Sequence, residues 1–139
     1  MKAVFKTSIN ASYLDAALLI ARVGLTLLMF THGLPKLAQF FSDQPIQFGD
    51  PIGIGVTASL VLTVFAEVFC SILLLIGFGT RLAVIPLIVT MVVAFFIVHA
   101  ADPIGVKELS MVYLLFYLVL GVTGSGKYSV DYLISRKQA

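Results

Sequence analysis

Two oppositely charged residues, Arg22 and Glu67, lie deep inside two long apolar runs of the sequence. An ionised side chain at the centre of a bilayer costs at least about 2.5 to 3.5 kcal/mol on insertion scales. Membrane proteins therefore keep such groups for pairing or for function. One hypothesis is that Arg22 and Glu67 line a functional site. The alternative is a buried ion pair that only fixes the register of two helices, because such pairs are weak evidence of net stability.

A second group of polar residues is predicted near one end of the apolar runs. His32 and Lys36 end the first run, and His99 ends the third. Two histidines without a third matched ligand are a weak metal signature, so no metal site is assigned. Two interpretations stay open for these residues. They are interfacial side chains bonded to water or backbone, or they donate hydrogen bonds to a ligand head group such as that of a quinone.

The fourth apolar run carries Tyr113 and Tyr117 one helical turn apart. A buried tyrosine hydroxyl normally finds a hydrogen-bond partner, so these side chains either reach one of the two polar groups or pack in the core. The single cysteine, Cys70, has no second sulfur to meet and is interpreted as a small core residue. Any dithiol chemistry would therefore need a partner protein.

The composition predicts the elements that position these residues. Of 139 residues, 60% are hydrophobic and 12% are charged, and the mean hydropathy is +1.07. A soluble domain of this length cannot bury so much apolar surface, so membrane lipid is the expected solvent. Spanning helices need about 20 mostly apolar residues. We predict an all-α polytopic membrane protein, a single domain over residues 1–139, with four transmembrane helices at about 14–33, 54–78, 82–100 and 108–124.

Turn signals separate these runs. Gly33-Leu34-Pro35 predicts the end of the first helix, and the segments 77–81 and 102–105 predict the later turns. Only the stretch 34–53 is longer than a turn. It mixes apolar with charged residues, which predicts a short interfacial helix in the membrane surface.

The spacing of polar and small residues predicts which helix faces meet. On the first helix one face carries Arg22, Thr26, Met29 and Gly33, and on the second a stripe carries Ser59, Thr63, Glu67 and Ser71. Small and hydroxyl residues are typical of helix contacts in membranes. At 1.5 Å per residue, Arg22 lies roughly 12 Å and Glu67 roughly 18 Å from their helix ends. The two side chains are therefore expected to meet near the midplane.

The distribution of lysine and arginine predicts the orientation. One set of ends carries most of the cations, and the other carries only Lys36 and Lys107. The cation-rich ends are expected in the cytoplasm, with both termini on that side. The cation-rich set is Lys2, Lys6, Arg81, Lys127, Arg136 and Lys137. The net charge of +2 belongs to this pattern and gives no support for nucleic acid binding.

Short motifs in the first two helices resemble those of the DoxX family of small bacterial membrane proteins. The first-helix motif is Arg22-Val23-Gly24, Phe30, His32-Gly33 and Lys36-Leu37. The second is Glu67, followed by the Leu-rich run from Leu73 to Gly77 and by Thr80-Arg81. The resemblance covers about residues 14–124.

The resemblance implies a four-helix protein of the bacterial inner membrane, with relatives linked to quinone-coupled sulfur oxidation or oxidant-defence complexes. It also implies a shared polar set of Arg22, His32, Lys36, Glu67 and Arg81. The first function class is a quinone-interacting subunit that exchanges electrons with a partner redox protein. The second is a non-catalytic assembly factor or anchor for a partner. These residues do not decide whether the protein is catalytic or whether it forms a homo-oligomer. A transporter built from four helices would need to be an oligomer.

Overall fold

The computed structural model describes residue 8 and residues 10–137. All regular secondary structure in these residues is helical. Four helices are long and apolar enough to cross a membrane, which confirms the predicted all-α, four-span architecture. The helices are α1 (Ala11–Ala38), α2 (Val56–Ile76), α3 (Thr80–Val98), α4 (Ile104–Thr123) and α5 (Val130–Lys137). Lys2 and Lys6, on which the predicted orientation partly depends, lie outside the described residues.

Helix α1 continues past the break predicted at Gly33-Leu34-Pro35, so that prediction is wrong. The helix starts at Ala11, where the Asn10 side chain accepts a hydrogen bond from the Ser12 N–H at 3.0 Å, and it runs through Pro35 to Ala38. Proline removes one backbone donor from a helix. The loss is tolerated because Pro35 lies in the last turns, which Gly33 and Lys36 hold against α2. Lys36 consequently projects from a helix and not from a loop.

The segment after α1 contains much less helix than expected. The surface helix predicted within 34–53 is reduced to the three-residue 3₁₀ turn Gln39–Phe41, and residues 42–55 are irregular. Asp50 organises the end of this segment, because it accepts hydrogen bonds from the Gly55 and Ile54 N–H groups at 2.9 and 3.0 Å and from the Ser59 hydroxyl at 2.8 Å. The bonds from Gly55 and Ser59 hold the pKa of Asp50 below its usual range. They also satisfy donors at the start of α2.

The predicted helix faces are confirmed by burial. Arg22, Thr26 and Met29 of α1 are buried against α2. On α2, Ser59, Glu67 and Ser71 are buried, and Thr63 is half-buried. Helix α4 packs chiefly on α3, which also contacts α2. The apolar core lies between the four spans and includes Met29, Leu74, Leu87, Met91 and Leu120.

Two of the spans contain a wide π-helical turn. In α2 this turn is Phe65–Cys70, which carries Glu67, and in α3 it is Ala94–Val98, next to His99. Such turns are frequent at functional sites because they change the direction in which side chains project. Both turns contribute residues to the same cavity, described below.

The chain after α4 forms a structure that the sequence did not predict. Helix α5 begins beside the turn between α2 and α3, and Asp131 accepts hydrogen bonds from the Gly79 and Thr80 N–H groups at 2.7 and 3.1 Å. The Ser125 hydroxyl donates a third bond at 3.2 Å. Partial burial would raise the pKa of Asp131, but these bonds outweigh it and hold the pKa below its usual range. Asp131 therefore ties the C-terminal segment to the bundle.

Candidate functional site

The buried carboxylate of Glu67 forms an ion pair with Lys36. The Lys36 Nζ lies 2.6 and 2.7 Å from the two carboxylate oxygens. The side chain of Glu67 is 4% exposed and that of Lys36 is 27% exposed. The pair is thus buried on the Glu67 side and open on the Lys36 side. A ligand entering from that side meets an ammonium group whose carboxylate partner is already in place.

A close approach of two helices makes this pair possible. A Cβ atom at Gly33 would lie 2.9 Å from the Val68 side chain and 3.0 Å from the Glu67 Cβ. Only glycine fits there without a shift of one helix, because real Cβ contacts are longer. Lys36 follows Gly33 by three residues and lies on the same side of α1. The contact at Gly33 therefore brings the ammonium group within reach of Glu67.

Arg22 does not pair with Glu67, and the expectation that these side chains meet is wrong. Glu67 lies level with Gly33, and at 1.5 Å per residue this is roughly 16 Å along α1 from Arg22. Arg22 is fully buried and donates to the Leu74 and Leu75 carbonyls at 3.3 and 3.4 Å. It also donates to the Tyr128 carbonyl.

The partners of Arg22 explain why a charge is kept there. Helix α2 ends at Ile76, and the last carbonyls of a helix have no partner within it. The C-terminal end of a helix also carries partial negative charge, which a cation stabilises. Arg22 therefore closes the end of α2 and joins it to the segment before α5. This is a structural role, and no ligand is needed to explain it.

A cavity of about 180 Å³ opens beside the Lys36–Glu67 pair, between the four spans. Its polar lining combines five of the predicted site residues with Ser110. These residues are His32, Lys36, Glu67, His99, Tyr113 and Ser110. Apolar side chains, among them Met29, Met91 and Leu109, complete the wall. The structure therefore brings His32, Lys36 and His99 together with Glu67.

The two imidazole rings that line the cavity are held in different ways. The ring of His32 lies edge-on to Tyr113, with 6.2 Å between their centroids. The Nδ1 atom of His99 lies 2.7 Å from a carboxylate oxygen of Asp102, which orients that imidazole. Among the described residues no carboxylate holds His32 in this way, and its side chain is exposed. Of the two imidazoles, that of His32 is therefore freer to turn toward a ligand.

Three of the predicted site residues do not line the cavity. Tyr117 stacks on Tyr113 at 6.0 Å, is fully buried, and its hydroxyl has no hydrogen-bond partner among the described residues. Arg81 lies at the opposite end of the bundle, where it donates to the Val122 carbonyl at 3.3 Å. Arg22 lies at that end too. The expected polar set is thus divided between two ends of the molecule.

Sequence reasoning missed Ser110 and Asp131. Ser110 precedes Tyr113 by three residues, so helical spacing alone puts both on one face of α4 and is a usable signal. Asp131 gives no comparable signal, because its partners at Gly79 and Thr80 are distant in the sequence. Within residues 10–137, His, Cys, Asp and Glu form no group of three that could hold a metal ion.

The cavity offers hydrogen-bond donors and acceptors with little net charge. The ammonium of Lys36 is balanced by Glu67, while imidazole and hydroxyl groups can both donate and accept. This chemistry suits a neutral polar ring with carbonyl or hydroxyl groups.

Comparison with known proteins gives a family. The chain is 28% identical over 127 residues to the inner membrane protein YqjF of Escherichia coli (strain K12), covering 88% of this chain and 95% of that protein. No solved structure matches the chain significantly. The family model of DoxX matches residues 17–100, which is more than half of the chain and includes α2, α3 and most of α1. This multi-pass membrane protein therefore belongs to the DoxX family.

Proposed function

We propose that this protein is an inner-membrane subunit that binds the head group of a quinone in the cavity beside Lys36 and Glu67 and works with a partner redox protein. The observation that carries the proposal is the cavity itself, in which a buried ion pair, two imidazoles and a tyrosine converge at one end of a membrane bundle. Intramembrane ionisable groups that face a cavity favour a functional role.

The size of the cavity limits what it holds. Pockets for complete small molecules usually measure about 300 to 1,000 Å³, whereas this one measures about 180 Å³. A single substituted ring fits such a volume, and a whole lipid does not. The rest of an amphiphilic ligand would lie outside the cavity.

Each polar residue has a role in this proposal. Lys36 and His32 donate hydrogen bonds to the carbonyl oxygens of the ring, and Tyr113 forms the wall beneath His32. Glu67 fixes the position of the Lys36 ammonium group. Electrons come from the partner protein, since the single cysteine, Cys70, is 2% exposed and cannot form a dithiol.

The orientation belongs to the same proposal. The Lys36 end of the bundle faces outward, and the Arg81 end, with both termini, faces the cytoplasm. The cavity then lies at the outer interface of the inner membrane. This is the depth at which the polar ring of a membrane-dissolved ligand meets water.

Mass spectrometry of extracted lipids and cofactors tests the proposal. The parent protein, solubilised gently, is compared with His32→Ala and Lys36→Gln, and with the control Lys107→Gln, which removes a cation at the same end but outside the cavity. We expect a quinone enriched in the parent and in Lys107→Gln and depleted in the two cavity variants. His32 is exposed, so its variant should fold even if Lys36→Gln does not.

The second candidate function is a non-catalytic anchor or assembly factor for a partner protein. It is favoured by the buried position of the only cysteine, since the chain then needs another protein for any redox step. Ordinary phospholipid alone in the parent and all variants, together with a co-purifying protein that is lost in His32→Ala, would overturn the quinone proposal and support this one.

A further inference from the structure

An apolar groove of about 230 Å³ runs along the lipid-facing surface between α1 and α4. Residues of α1 form one wall and residues of α4 the other. The principal ones are Ile20, Gly24, Leu28, Leu109, Val112 and Phe116. Space above Gly24 is open, because a Cβ atom built there would meet no atom within 4 Å. The groove is therefore open where α1 lacks a side chain.

The groove adjoins the cavity. Leu109 and Tyr113 line both spaces, so the polar cavity and the apolar groove lie side by side and share these two side chains. Helix α1 packs chiefly on α2, and α4 packs chiefly on α3. Among the described residues α1 and α4 make few contacts with each other, so the groove between them stays open to the surface.

The direction of the groove fits one kind of occupant. Starting beside the cavity at Leu28 and Leu109, it extends to Ile20 and Phe116, roughly 12 Å along α1 at 1.5 Å per residue. This path leads from the cavity end of the bundle past the middle of α1 to about the level of Arg22. A hydrocarbon tail attached to a ring in the cavity would follow the same path.

We propose that the groove holds the first part of the hydrocarbon tail of the ligand whose head group occupies the cavity, and that this ligand enters sideways from the bilayer between α1 and α4. The inference rests on the proposed function and narrows its ligand to a membrane amphiphile with a polar ring and a long alkyl or isoprenoid tail. A water-soluble ring compound lacks the part that the groove recognises.

The experiment uses two probes and the protein in lipid nanodiscs. One probe is a benzoquinone with a decyl tail, and the other is the same ring without a tail. Gly24→Phe fills the groove, and Gly24→Ala is its matched control with a small side chain. We expect Gly24→Phe to weaken binding of the decyl probe by about tenfold and to leave the tail-less probe within about twofold, while Gly24→Ala leaves both within about twofold.

The outcomes separate the groove from the cavity. If Gly24→Phe leaves the decyl probe unchanged, or weakens both probes equally, the groove proposal is overturned while the proposed function stands. If neither probe binds the parent, the proposed function fails and the groove proposal falls with it. Val112→Trp fills the groove from α4 and must show the same split between the two probes, which keeps the test valid if Gly24→Phe does not fold.

Discussion

Lys36 and Glu67 are joined by a bidentate ion pair in which one ammonium group lies 2.6 and 2.7 Å from both carboxylate oxygens. The pair connects the last turns of α1 to the π turn of α2 and forms one wall of the cavity. Lys36 is therefore the partner of Glu67, whereas the sequence suggested Arg22. The Lys36–Glu67 pair and Arg22 are thereby separated along the bundle.

Removing one member of the pair should destabilise the protein more than removing both. Lys36→Met leaves a carboxylate that is 4% exposed without its partner. Breaking a buried pair costs about 3 to 5 kcal/mol, and the 27% exposure of Lys36 reduces the expected loss to about 2 kcal/mol. The double variant Lys36→Met, Glu67→Met should recover most of the lost free energy of unfolding. Unfolding in detergent measures these differences. If the double variant is as unstable as the single variants, the ion pair between Lys36 and Glu67 would be contradicted.

Arg22 should matter for stability and not for ligand binding. Arg22→Met leaves the Leu74, Leu75 and Tyr128 carbonyls without their donor, and hydrogen bonds to charged groups contribute about 1.5 to 3 kcal/mol each. We expect a loss of at least about 3 kcal/mol, whereas Arg81→Met, at an exposed position, should cost about 0.5 kcal/mol or less. If the Arg22→Met variant folds but no longer binds quinone, and the Arg81→Met variant still binds it, Arg22 would belong to the binding site.

Replacing Gly77 with alanine should lower the free energy of unfolding much more than the same replacement at Gly53. Both glycines have a left-handed backbone, with φ of 68° and 73°, so alanine carries a conformational penalty of about 1 to 2 kcal/mol at either site. At Gly53 a Cβ atom meets open space, but at Gly77 it overlaps the Arg22 guanidinium group and Ser129. The difference in unfolding free energy between Gly77→Ala and Gly53→Ala therefore measures the packing at Arg22. Equal losses would mean that the guanidinium group moves aside freely.

The Asp131 carboxylate should make stability depend on pH under acidic conditions. Its pKa in the folded protein is lowered from the ordinary value of 3.8. A lowered pKa means that the ionised group stabilises the fold above pH 3.8, and that this contribution is lost as the pH falls below that value. Asp131→Asn should lower the melting temperature at neutral pH and flatten its decline in acid. Parallel curves for parent and variant would show that other carboxylates cause the decline.

Cysteine labelling should show which face of the bundle is outside. In a Cys70→Ala background, Asp43→Cys lies in the segment after α1 and Arg136→Cys in α5, and both positions are exposed. A membrane-impermeant maleimide should label the cysteine at position 43 in intact cells and the cysteine at position 136 only after permeabilisation. The reverse pattern would invert the proposed topology and place the cavity at the cytoplasmic surface.

Features that depend on local chemistry were predictable from the sequence. Four long apolar runs must be helices in lipid, because no water is available for unpaired backbone groups. The three-to-four residue spacing of Arg22, Thr26, Met29 and Gly33 gave the buried face of α1 correctly. The DoxX motifs, which include Arg22 and Gly33 of this face, indicated the family correctly.

The pairing of the charges was decided by tertiary packing. Long side chains reach several partners, and helix length predicts depth in the membrane only to within a few turns. The contact of Gly33 with Glu67 and Val68 sets the height at which α1 and α2 meet, and this height joins Glu67 to Lys36. The return of the chain at Tyr128 gives Arg22 its other partner. Such contacts between residues far apart in sequence leave no periodic signal, so only the folded structure separates the cavity from the charged group that closes the opposite end.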